Sequence, residues 1–190
     1  MAFQTVTQVI IPLLTIGFSG ILSAYIAHHL ATTRADREFR LKRLEELFLS
    51  LTRFSKHYTV AVTPYLLVMR GQNTLAAVQE IIDKQTTSED AQHLENIEML
   101  IKIYFPSLNP HFDRILRLRD QIGERYIAEL FNRVGRGHDC RDLAQGFLGE
   151  VQQFNEAAER LKTAIFALAE NIRSRSWRAN LRALLTDQFN

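Results

Sequence analysis

The sequence predicts an all-α protein: an N-terminal transmembrane helix that continues into a long cytoplasmic helix, packed in a bundle of about four to five further helices. Three observations carry that expectation. Residues 1–33 contain no Asp, Glu, Lys or Arg. Five basic residues, Arg34, Arg37, Arg40, Lys42 and Arg43, then arrive within ten positions. Downstream, apolar residues recur at three- and four-residue intervals, and no segment alternates as a strand does.

The apolar run 9–30, VIIPLLTIGFSGILSAYIAHHL, is long enough to cross a hydrocarbon core as a helix, which takes about 20 residues. The basic cluster after it marks the cytoplasmic end, because loops rich in Lys and Arg stay inside. A cleaved signal peptide is disfavoured: MAFQTVTQ carries no positive charge, and HHLATTRADRE is a poor cleavage site. Pro12 is tolerable in the first turns of a helix. The expected organisation is a short outer tail over 1–8, a span over 9–31, a charged juxtamembrane helix over 32–40, a cytoplasmic bundle over 41–172 and a basic amphipathic helix over 173–190. The expected location is the bacterial inner membrane, with the N-terminus outside and the C-terminal domain inside.

Small residues line one face of the span. Gly17, Gly20, Ala24, Ala27 and Ala31 follow at spacings of 3, 4, 3 and 4, the period of a helix–helix seam. In lipid, helices associate through close backbone approach, which small side chains permit. Phe18, Ile21, Leu22, Tyr25 and Ile26 supply bulk on the remaining faces. The expected partners are membrane lipid and either further copies of this chain or another membrane protein.

Beyond the span the helix is expected to run on to about residue 63. The polar stretch TTRADREFR is supported by acid-before-base pairs at i,i+4, Asp36–Arg40 and Glu38–Lys42, worth a few tenths of a kcal/mol each. Leu41, Leu44, Phe48, Leu51, Tyr58 and Val62 resume the helical stripe. A short segment from Tyr65 to Met69 then meets the breaker Arg70-Gly71-Gln72, and Asn73 is placed to cap a helix through Lys84. Ser88 opens the next helix and Pro106 closes it. Asn109-Pro110 reads as an N-cap followed by a first-turn proline, starting a helix that runs to Gly135. Asp139 caps a last bundle helix through about Ile172, with Leu143, Phe147, Val151, Phe154, Leu161 and Ile165 among its inward positions. In the final stretch Trp177, Leu181, Leu184 and Leu185 share a face, flanked by Arg178 and Arg182. That is the composition of a helix lying in a membrane interface.

Composition narrows the function classes. Charged residues make up 23% and apolar ones 46%, ordinary for a folded chain. With a net charge of only +2, charge does not imply a nucleic-acid partner. The single Cys140 has no disulfide partner within the chain, in keeping with a reducing compartment. No metalloprotease, zinc, phosphate-loop, nucleophile-elbow or dinucleotide motif occurs, so no cofactor, metal or small-molecule ligand is implied and an enzyme is not expected. His28 and His29 sit at the span's cytoplasmic edge, while His57, His93 and His111 lack a second ligand at i+3 or i+4.

One spacing invites chemistry. Arg133 and His138 match the Arg-x4-His spacing of HEPN-type ribonucleases, which are also all-α. In such a site a His beside an Arg assists attack of a 2′-hydroxyl and stabilises the developing phosphate charge. Eighteen Arg and six His among 190 residues produce such a spacing by chance, and Val134 stands where those enzymes usually carry a polar residue. The expectation is therefore a non-catalytic interaction or scaffold protein, an oligomeric subunit of a membrane complex. The alternatives are a membrane-perturbing effector whose spans oligomerise on a cytoplasmic trigger, and a membrane-tethered HEPN-like ribonuclease.

Overall fold

Between Gly20 and Gly71 the chain has no glycine and a single proline, and its backbone coils without interruption. In the computed structural model α1 spans Ala2–Met69. The structure describes the backbone of residues 2–85 and 88–186, and the side chains of residue 25, 27–82 and 92–174. After α1 come α2 (Leu75–Gln85), α3 (Ser88–Tyr104), a 3-10 turn (Pro106–Leu108), α4 (Asn109–Gln121), a π-helical segment (Ile122–Ile127), α5 (Ala128–Gly135) and α6 (Arg141–Thr186). The protein is all-helical, with no strand among the described residues. The chain divides into two compact units, Met1–Leu41 and Lys42–Asn190.

Among the described residues, no helix is long and apolar enough to cross a membrane. The span expected over 9–31 falls mostly on residues whose side chains lie outside that set, so its support remains the sequence alone. Within the first unit, Asp36 and Arg40 close the expected ion pair at 3.2 Å. Thr32 and Thr33 each return a hydroxyl hydrogen to the carbonyl of His29, at 2.9 and 2.7 Å. The Tyr25 and His29 rings stack at 6.4 Å.

The second unit is a helical bundle built on residues 42–69 of α1. Leu44, Leu47, Leu51, Phe54, Val62 and Met69 are buried in its core. Each fully buried Leu contributes roughly 1.5–3 kcal/mol relative to exposure. Against this stripe α6 runs antiparallel: Phe48 meets Phe166 at 5.1 Å, Tyr58 meets Phe154 at 4.6 Å, and Thr59 donates to Asn155 at 2.8 Å. On another side α3 is also antiparallel to α1. The Arg43 guanidinium lies over the Tyr104 ring, and Asn96 bonds to Ser50. The Tyr58 hydroxyl donates to the Arg119 carbonyl at 3.0 Å, tying α4 to the same helix.

Four boundaries differ from expectation. Pro64 does not end α1. It forfeits the amide bond to the Val60 carbonyl, a cost of about 3 kcal/mol, yet the helix continues because Tyr65, Val68 and Met69 bury beyond it. The end comes at Gly71, whose φ of +68° suits glycine. Its amide donates to Val68 and that of Gln72 to Leu67, the double bond of a Schellman turn. The cap of α2 is Thr74, whose Oγ1 accepts the amide of Ala77 at 3.3 Å, and not Asn73. Asn109 does not cap α4 either: the 3-10 turn feeds into the helix through Leu108, and Asn109 and Pro110 sit in its first turn. Finally, α6 does not stop near Ile172 but continues to Thr186, so the basic stretch expected as a separate helix is its backbone continuation.

The single helix expected after Pro110 is continuous from α4 to α5 but widens at Ile122–Ile127. The buried residues explain it. Leu118, Ile122, Tyr126 and Leu130 recur every fourth position, and each such step on an α-helix drifts about 40° off the core. A wider π turn absorbs the drift and keeps all four inward. Tyr126 packs edge-on against Phe147 at 6.0 Å, over Gly146 of α6, where a Cβ would stand 2.8 Å from its hydroxyl.

Candidate functional site

A cleft of about 770 Å³ lies between α1 and α3. Helical spacing assembles it: Glu46, Ser50 and Arg53 lie along one face of α1, and Gln92, Asn96 and Met99 along the facing side of α3. Its floor is polar. The Asn96 amide nitrogen donates to the Ser50 hydroxyl at 3.0 Å and to Glu46 at 3.4 Å, and Ser50 is only 6% exposed. Arg43 reaches the other Glu46 oxygen at 2.6 Å, and that bond raises its guanidinium pKa above the ordinary value. The rim is apolar, with Leu49 and Met99 each nearly half exposed. Arg53, His93 and Glu95 complete the lining. Sequence periodicity marked the helices that form this cleft but missed Ser50 and Asn96; two short polar residues on otherwise inward faces were the available signal.

Arg133 and His138 are brought together, but as a helix terminus. The His138 amide donates to the Arg133 carbonyl at 2.9 Å and the Gly137 amide to Val134 at 3.1 Å, with Gly137 at φ +72°. This is a second Schellman turn, which by construction separates its outer bonded residues by five positions. The Arg133 side chain is committed elsewhere. Its Nε donates to Glu129 at 2.7 Å, and its Nη1 to both Asp142 oxygens at 2.7 and 2.9 Å. Those two carboxylates hold the guanidinium pKa above its usual value, and the Arg133 hydrogen bond in turn holds Asp142 below the usual carboxylate range. The arrangement clasps the end of α5 to the start of α6, where Asp139 accepts the amide of Arg141 at 3.1 Å.

A hollow of about 490 Å³ lies beside this clasp, lined by Arg125, Tyr126, Asn132 and Gly146. The Arg125 guanidinium covers the Tyr126 ring at 5.6 Å from its centroid. Burial pushes the Tyr58 phenol well above its ordinary pKa, so it serves as a neutral donor to Arg119. No group of three metal-ligating side chains occurs among the described residues.

The remaining expected residues are placed as follows. Ala27 and Ala31 are exposed; Gly17, Gly20 and Ala24 lie outside the residues whose surroundings are described. Arg34, Arg40 and Lys42 are exposed, while Arg37 and Arg43 are half-buried. The side chains of Trp177, Arg178, Leu181, Arg182, Leu184 and Leu185 also lie outside the described residues, although their backbone belongs to α6.

No family model, curated protein or solved structure matches this chain.

Proposed function

We propose that the chain is a single-pass, membrane-anchored helical scaffold, an oligomeric subunit of a membrane complex with its N-terminus outside and its helical bundle in the cytoplasm of a bacterial cell. One observation carries the reading: a charge-free stretch of 33 residues gives way abruptly to Arg34, Arg37, Arg40, Lys42 and Arg43. The backbone supports it, because residues 2–41 are helical and so satisfy their own polar groups, as a span requires. Thr32 and Thr33 bond their hydroxyls to carbonyls of the preceding turn, a way for polar side chains to enter a water-poor interface. Gly17, Gly20, Ala24, Ala27 and Ala31 form the seam for assembly, and Trp177, Arg178, Leu181 and Arg182 suit contact with anionic lipid. The ribonuclease alternative loses ground, since the guanidinium of Arg133 is bound to Glu129 and Asp142.

The test is native mass spectrometry of the protein extracted gently from membranes, beside Gly20→Leu. A homo-oligomer broken by the substitution, or a discrete second membrane subunit released by it, upholds the reading. Recovery in the soluble fraction, or a lone monomer in both samples, overturns it. Collapse of membrane potential on expression would move the function to the effector class.

A further inference from the structure

Resting on the scaffold reading, we infer that the α1–α3 cleft is the docking site for an acidic amphipathic helix of a partner protein. Three properties of the cleft point there. Its rim is apolar and exposed: Leu49 and Met99 are 48 and 44% exposed, and Ile103, one turn beyond Met99 on α3 and outside the cleft's lining, is 63% exposed. Side chains of this size in a row along a groove are the anchors that receive one face of a helix, and a Met among them adapts to the incoming shape.

The second property is length. From Glu46 to Arg53 the cleft follows two turns of α1, about 10 Å at 1.5 Å per residue. Lys56 on α1 and Ile103 on α3 extend these faces by roughly one turn at opposite ends, giving a site for about four turns of a partner helix. The third is charge. Glu46 is already held by Arg43 and Asn96. Arg53 and Lys56, exposed on the same face of α1, have no ion pair among the described residues, and Glu95 is the remaining acid of the lining. Carboxylates flanking the apolar stripe of the incoming helix would meet Arg53 and Lys56. A polar side chain at its centre would meet the Ser50–Asn96 floor, which rewards an occupant able to hydrogen-bond there.

The same charges argue against self-association through this face. A parallel pairing of two α1 helices would set Arg53 and Lys56 against their own copies, and copies anchored in one membrane share one orientation. The occupant is therefore a different, acidic helix.

The test uses the full chain in phosphatidylcholine nanodiscs and a fluorescent synthetic Glu/Leu helix of about three heptads, beside its Lys/Leu counterpart. Saturable anisotropy change with the acidic peptide alone, weakening with salt, is expected. Arg53→Glu with Lys56→Glu should cost about tenfold or more in affinity for the acidic peptide and turn the preference toward the basic one; Met99→Gln should weaken binding of the acidic peptide without changing the preference. Equal binding of both peptides, indifference to the charge reversal, or a signal no larger than that of empty nanodiscs overturns the inference. Native mass spectrometry of the same preparation separates the two readings. Persistence of the Gly20-dependent assembly without peptide binding removes the docking site alone, whereas its absence removes the scaffold beneath it.

Discussion

The backbone amide of His138 donates to the carbonyl of Arg133 at 2.9 Å, so the two residues that share an enzyme's spacing are the two ends of a helix-stopping turn. The i to i+5 bond of that turn imposes the spacing, and Gly137 at φ +72° makes it possible. Any side chain at 137 meets the left-handed penalty. Gly137→Ala should lose about 1 kcal/mol of stability in urea denaturation, while His138→Ala, at an exposed position, should stay within about 0.5 kcal/mol. A ribonuclease would show the reverse order of importance in RNA cleavage; no cleavage is expected from either protein.

Gly146 has no unusual φ; it is needed for room. A Cβ there would stand 2.8 Å from the Tyr126 hydroxyl and 3.0 Å from Cε1, and the ring is hemmed in by Phe147. Gly146→Ala should destabilise by about 1–3 kcal/mol through overpacking. Because the nearest atom is the hydroxyl, Tyr126→Phe should recover part of the loss in a double-mutant cycle; strict additivity would refute the contact.

Acid should loosen the α5–α6 clasp. The Arg133 hydrogen bond depresses the folded-state pKa of Asp142, so the stabilisation is present above the unfolded carboxylate value, near pH 4, and is lost as pH falls through the lower folded value. Asp142→Asn should flatten the pH dependence of the urea midpoint below about pH 4 relative to the parent protein. An unchanged acid limb would assign it to other carboxylates.

Tyr58 works in the opposite direction. Burial raises its phenol pKa, so its contribution is whole below about pH 10 and declines as pH rises through the folded value. Tyr58→Phe should cost about 1 kcal/mol at neutral pH by removing the bond to Arg119, and should reduce the destabilisation seen in alkali.

Phe154 is fully buried against Tyr58 at 4.6 Å and Phe54 at 6.2 Å, where α6 meets α1. Phe154→Ala should cost about 3–5 kcal/mol by thermal or chemical denaturation. Phe166→Ala, whose ring also packs on α1 but is 60% exposed, should cost markedly less.

Much of this architecture was legible from spacing. The inward positions Leu44, Leu51, Val62, Phe147, Val151, Phe154, Leu161 and Ile165 follow the helical period and are all buried, because a helix has one way to hide an apolar stripe. The paired Ser50 and Asn96 were not, since a short polar residue on an inward face has no meaning until the helix opposite is known. The Arg133 spacing read as chemistry because sequence shows neither the Schellman turn nor the carboxylates that occupy the guanidinium.

The chain's own pattern decides that its elements are helices, that a charge-free run precedes a basic cluster, and that the glycine-bearing stretches at 70–72 and 135–137 stop helices. These are local matters, fixed by the period of apolar side chains and by backbone sterics within a few residues. Whether Pro64 breaks α1, whether the helix after Pro110 widens at Ile122–Ile127, and which polar side chains meet in the α1–α3 cleft were settled by packing. Each depends on packing against residues distant in the chain: Tyr65 and Met69 burying in the bundle core beyond the proline, Tyr126 set over Gly146, and Asn96 reaching Ser50 on the facing helix. Local preference costs or contributes a few kcal/mol at such points, and burial against a neighbouring helix outweighs it.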